Sequence, residues 1–118
     1  MNTSFLLYHL SLFLQHNRHM QYLVIFTPKQ KFASPEMPSD FSQLLLEEEA
    51  RAKDLYMEGL LRQSWVLGAR DRGAAVLFEA ESPERLQEII DSFPLIKADY
   101  SDTQVFPLAP DPAFAKKS

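Results

Sequence analysis

The sequence contains no cysteine, which excludes disulfides, thiolate metal sites and a cysteine nucleophile. Histidine is nearly as scarce, since His9, His16 and His19 all fall in the first twenty residues and none follows. His-based triads, the usual zinc sites and the commonest general base are thereby removed from the body of the chain. Acid–base chemistry there falls to carboxylates, tyrosine or lysine, with no metal and no cofactor expected. Glycine is limited to Gly59, Gly68 and Gly73, so there is no glycine-rich phosphate loop. The 12 Lys and Arg are scattered among 16 Asp and Glu, for a net charge of −4. Without a basic patch to neutralise phosphates, this balance argues against a nucleic-acid partner. The longest apolar run, from Phe5 to Leu14, falls short of the ~20 residues that cross a bilayer, and no membrane partner is expected.

What is present is ordinary for one globular domain: 118 residues, 46% hydrophobic and 24% charged, enough for a single modest core. A reducing, cytoplasmic setting fits a chain without cysteine. Residues 1–19 lack the basic start and small-residue cleavage site of a secretory signal. Met20 directly precedes a good strand, so residues 1–19 read as an extension or tail. The domain is expected over residues 20–110, followed by a tail over 111–118.

The stretch "QYLVIFT" (21–27) is β-branched and aromatic, and predicts a first strand ending at Pro28. Residues 28–40 carry three prolines and form a loop. Ser39 or Asp40 can cap a helix that runs to about Glu58 and stops at Gly59. Residues 60–68 and 74–80 predict a hairpin of two strands with a tight turn at 70–73. A second helix over 82–93 has clear start signals in Ser82, Pro83 and Glu84, and Pro94 ends it. Residues 98–108 supply a fourth strand whose first half is polar. The order β-α-β-β-α-β is α+β and ferredoxin-like: an antiparallel four-stranded sheet with both helices on one face. The other face is left bare, which predicts a homo-oligomer, at least a dimer, joined through the sheet.

The segment "LEEEARAKDLYMEGLLRQSW" (46–65) places three glutamates in succession. On a helical wheel centred on Glu48, Phe41 and Leu55 fall within about 20°, and Leu44, Leu45 and Ala52 within about 60°. Glu47 and Glu49 swing out toward water, and Glu48 lies within the apolar stripe. Three readings follow. Glu48 is a desolvated proton shuttle, or it pairs with a basic group from the sheet, Arg62 being the obvious one, or the helix rolls and exposes it. Strict alternation along the second strand puts Leu61, Gln63, Trp65 and Leu67 on one face and Leu60, Arg62, Ser64 and Val66 on the other.

Several blocks then act together: "PSDFSQLLLEEEA" with Pro38, Gln43, Leu44 and Glu48; "EGLLRQSW" with Glu58, Gly59, Arg62 and Trp65; "VLFEAESPERLQEII"; and "FPLIKADYSDTQVFPLAP" with Pro94, Leu95, Asp99, Val105 and Pro107. With these blocks and their spacing the chain resembles the muconolactone isomerase family over about residues 20–110. The resemblance implies a cofactor-free isomerase of aromatic-compound catabolism, acting on a small unsaturated lactone bearing a carboxylate and assembled as a closed oligomer. The family's acidic residue falls on Glu48, and Arg62 becomes a candidate for holding the substrate carboxylate. One position departs: Gln63 stands where the family has a histidine, and an amide donates a hydrogen bond but carries no proton. Either Glu48 works alone, or the substrate differs. A second reading is a cofactor-free enzyme on an aromatic or polyketide-like substrate, with Trp65, Tyr22 and Tyr100 holding a flat molecule. A third is a non-catalytic ligand-binding or assembly module.

Overall fold

The computed structural model describes residues 19–29, 39–68 and 73–114. The predicted extension (all but His19), the middle of the proline-rich loop, the hairpin turn and the end of the C-terminal tail lie outside the described residues. The elements are β1 (Met20–Pro28), α1 (Phe41–Met57), β2 (Leu61–Val66), β3 (Ala74–Ala80), α2 (Pro83–Asp91), α3 (Pro94–Lys97) and β4 (Ser101–Leu108). The sheet order is β2-β3-β1-β4, and every neighbouring pair is antiparallel. This is the ferredoxin-like architecture.

Alternation sorts β1 and β3 into two faces. Tyr22, Val24 and Phe26 of β1 and Val76, Phe78 and Ala80 of β3 join Leu55, Leu86, Ile89, Ile90 and Phe93 from the helices in one buried cluster. Phe26, Phe78 and Phe93 meet edge-on at centroid distances of 5.6, 6.1 and 6.3 Å, the geometry that aromatic quadrupoles favour. On the opposite, open face lie Leu23, Ile25, Ala75, Leu77, Trp65, Phe106 and Leu108, the last two and Trp65 being exposed.

The helix ends follow local chemistry. Ser82 accepts a hydrogen bond from the Arg85 N–H at 3.0 Å, with Pro83 opening α2. At the end of α1, Gly59 takes φ +80°, its N–H donates to the Tyr56 carbonyl, and the Leu60 N–H donates to the Leu55 carbonyl. That pair of bonds is a Schellman closure.

Four expectations are corrected. The second helix stops at Asp91, and Pro94 does more than end it, because proline also fits a first helical turn and α3 starts there. Residues 98–100 form a turn with Asp99 at φ +64°, so β4 begins only at Ser101. Asp40 occupies the N-cap of α1 but its side chain makes no capping bond. Strict alternation fails on β2, where Leu61 pairs with Phe78 and Gln63 with Leu77, leaving Arg62 as an extra residue. This β-bulge puts Leu61 in the core and moves Gln63 and Trp65 to the open face.

Gly73, at φ +99°, enters β3 beside the end of β1, where a Cβ would lie 1.8 Å from the Phe26 carbonyl oxygen. Gly73→Ala is expected to cost roughly 2–4 kcal/mol in urea denaturation, from the clash and the left-handed backbone together.

Candidate active site

Only Leu55 of α1 is fully buried, while Phe41, Leu44, Leu45 and Ala52 are half-covered. Glu48 is half-buried in line with them, and Glu47 and Glu49 are exposed. Its Oε1 accepts a hydrogen bond from the Leu95 N–H at 3.0 Å. The cause lies in α3. A helix begins with N–H groups that have no partner inside it, and the residue at its N-cap, Phe93, has no side-chain oxygen to offer. Glu48 reaches across from α1 and supplies one. Among the described residues its Oε2 has no protein partner, yet no fully buried side-chain oxygen lacks one.

Burial pushes the Glu48 carboxyl above its usual range, and the Leu95 N–H draws it partly back. One turn along α1, Arg51 Nε donates to Ser92 Oγ at 2.8 Å, and Ser92 Oγ donates to the Ile89 carbonyl at 2.6 Å. The two contacts make a polar seam joining α1 to the junction of α2 and α3. The pairing of Glu48 with Arg62 is not formed: Arg62 Nε lies 3.9 Å from Glu79 Oε1, which also accepts from Gln21 Nε2 at 3.2 Å.

The six candidate residues separate into three places. Glu48 and Tyr100 lie on the helix side of the sheet. Tyr22 is 1% exposed, sealed in the core with its hydroxyl donating to Met20 Sδ at 3.3 Å. Arg62, Gln63 and Trp65 are exposed on β2, with Gln63 and Trp65 sharing the open face with Leu77 and Ala75. Within one chain the sheet stands between Gln63 and Glu48. A surface depression lined by Tyr56, Met57, Glu58, Gly59, Leu61 and Arg62 sits at the far end of α1 from its first turn, away from the seam.

Tyr100 is buried, its ring tilted against Phe41 at 5.9 Å, and its hydroxyl donates to Asp40 Oδ1 at 2.8 Å. That bond, followed by burial and the Asp40 charge, raises the phenol above its ordinary range. Sequence reasoning missed the Leu95 and Asp40 partners. The "FP" at 93–94 held a signal for the first, because a proline-led helix after phenylalanine must find its cap elsewhere. Among the described residues no group of three or more His, Asp or Glu is arranged to hold a metal, and no helix is long and apolar enough to cross a membrane.

A family model described as muconolactone delta-isomerase matches residues 20–113. Among solved structures, a crystal structure of muconolactone isomerase is similar at 26% identity and TM-score 0.68, covering 84% of this chain and 98% of the other. A 5-chloro-2-hydroxyhydroquinone dehydrochlorinase from Burkholderia phenoliruptrix AC1100, in complex with 2,5-dihydroxybenzoquinone, shares the fold at 17% identity and TM-score 0.53, covering 76% and 94%. Among curated proteins, no sequence matches the chain.

Because folding raises the affinity of Glu48 for its proton, the stability it contributes is complete below the ordinary carboxyl range and is lost as pH rises through its folded value. Glu48→Gln keeps an acceptor for Leu95 and removes the charge. Its stability relative to the parent should therefore grow in urea denaturation as pH rises from the ordinary carboxyl range through the folded value of Glu48, and level off above it. Glu48→Ala strands the Leu95 N–H and should lose about 1 kcal/mol relative to Glu48→Gln.

Proposed function

The chain belongs to the muconolactone delta-isomerase family, and from that premise we propose that it is a cofactor-independent isomerase. Its substrate class is a small unsaturated lactone or related cyclic acid from aromatic breakdown, and its reaction moves a proton and with it a carbon–carbon double bond. The observation that carries this reading is Glu48: half-buried in an apolar stripe, raised in pKa and fixed through one oxygen by the Leu95 N–H. Ionised Oε2 takes a proton from one ring carbon, leaving enolate-like charge on the lactone. The same group, now protonated, returns it to another carbon. A carboxyl held above its usual range is the stronger base for the first step and remains an effective acid for the second. A bond to Leu95 alone would also suit a purely structural cap; the raised proton affinity that burial gives the carboxyl favours the chemical role.

With Gln63 in place of a titratable partner, Glu48 carries the proton in both directions. The open face is read as the surface on which a second copy docks, since Leu23, Ile25, Leu77, Trp65 and Phe106 form an apolar patch that a monomer would leave in water. Arg62, Gln63 and Trp65 then lie at or beside that interface, where Arg62 is the candidate for a substrate carboxylate. This placement matches the separation of Arg62 from Glu48 within one chain.

Muconolactone is the probe of choice. The parent protein should isomerise it, and Glu48→Gln should lower kcat/KM by about 10²–10⁴ while remaining folded. Activity should fall on the acid side at a pH above the ordinary carboxylate range. Failure of the parent to turn over muconolactone would remove that substrate, and full activity of the variant on any substrate found would remove Glu48 as the shuttle.

Leu77→Arg places a charge at the centre of the open face. Sedimentation velocity should show the parent as a dimer or larger assembly and this variant as a folded monomer, whereas an unchanged assembly would place the contact elsewhere.

A further inference from the structure

Resting on the reading of Glu48 as the proton-carrying group, we infer that Tyr100 is a positioning residue for Glu48, acting through its hydrogen bonds to Asp40 and Leu95 rather than as a surface for substrate. Tyr100 is buried and held on every side. Its hydroxyl donates to Asp40 Oδ1 at 2.8 Å, and its ring packs on Phe41. Its N–H donates to the Leu95 carbonyl at 2.9 Å, and its own carbonyl accepts from the Lys29 N–H at 2.9 Å. The adjoining turn is pinned by Lys29, whose ammonium pairs with Asp99 and lies 3.8 Å from Asp102.

These contacts close a circuit. From Glu48 it runs to the Leu95 N–H, from the Leu95 carbonyl to the Tyr100 N–H, and from the Tyr100 hydroxyl to Asp40. It then re-enters α1 through the Leu44 N–H, which donates to the Asp40 carbonyl at 3.0 Å. The circuit matters because of how little holds this half of α1. The helix's only fully buried side chain is Leu55, near its far end. The first two turns rest on half-covered Phe41, Leu44 and Leu45, whose partial burial does little to fix a helix along its own axis. The bond from Tyr100 to Asp40 sets the spacing between the start of α1 and the α3–β4 turn. It thereby sets the distance at which Glu48 meets Leu95.

The test uses the Leu95 amide as a reporter. In 15N-labelled protein its resonance should titrate with Glu48, and Glu48→Gln should abolish that titration, which assigns the signal. Tyr100→Phe keeps the ring and removes only the hydroxyl. It should weaken the bond from Leu95 that favours the carboxylate, so the midpoint of the Leu95 titration rises. With muconolactone, kcat should fall about tenfold with KM changed less than about twofold, because the lost interaction orients the base rather than binds substrate. Asp40→Ala should reproduce both effects, and Asp40→Asn, which keeps an acceptor for the phenol, should restore the parent midpoint. Both Asp40 variants remove the same charge, so the difference between them isolates the hydrogen bond. The charged groups on the packed elements, namely Glu49 and Arg51 on α1, Asp91 on α2 and Lys97 on α3, are left untouched.

A Leu95 midpoint that stays at the parent value in Tyr100→Phe and Asp40→Ala would overturn the inference. So would a raised midpoint with kcat unchanged, or a loss expressed wholly in KM. If the parent fails to turn over muconolactone, the proposed reaction fails, while the amide titration still decides the coupling of Tyr100 to Glu48.

Discussion

A single backbone N–H, that of Leu95, organises the helical layer. It belongs to a helix of four residues, Pro94–Lys97, that starts at a proline and follows a phenylalanine. Such a helix has nothing of its own to satisfy its first free donors. The solution is a carboxylate from another element, and the cost is a glutamate drawn half out of water. Several features trace back to that exchange: the raised proton affinity of Glu48, the seam with Arg51 and Ser92, and the placement of the turn that leads into β4. The group proposed to carry a proton also fastens two elements together.

The chemistry separates from the core by layer. Phe26, Phe78 and Phe93 pack edge-on in the core between the helices and the sheet, and Tyr22 is buried in the same cluster. The candidate residues lie at two margins, Glu48 on the helix side and Arg62, Gln63 and Trp65 at the open sheet face. Gln63 lies across the sheet from Glu48 within one chain, so a change at Gln63 acts on the open face and not on the surroundings of Glu48 in that chain.

The architecture was legible in the sequence because its signals are local. A β-branched and aromatic run marked β1, Ser82 with Pro83 marked the start of α2, and Gly59 marked the end of α1. Helical periodicity also singled out Glu48 from its two neighbours, which are exposed as expected. What escaped were contacts made between residues distant in sequence. The Leu95 N–H spans 47 positions to Glu48 and the Tyr100 hydroxyl spans 60 to Asp40, and no periodicity encodes either. The bulge at Arg62 escaped because an extra residue in one strand is defined only by the register of its partner. That single offset moved Leu61 into the core and broke the expected alternation of faces.

The same bulge has a consequence for the edges of the sheet. β2 and β4 are the two edges of the sheet, and edges are where sheets add strands without limit. The irregular residue interrupts the hydrogen-bonding rhythm of β2, and Pro107 removes a donor within β4. Both edges are thus blunted against endless lateral growth, while the open face carries an apolar patch around Leu23, Ile25 and Leu77. Any association through the open face would stack one sheet on another, and stacking saturates once two faces have met, where edge addition does not.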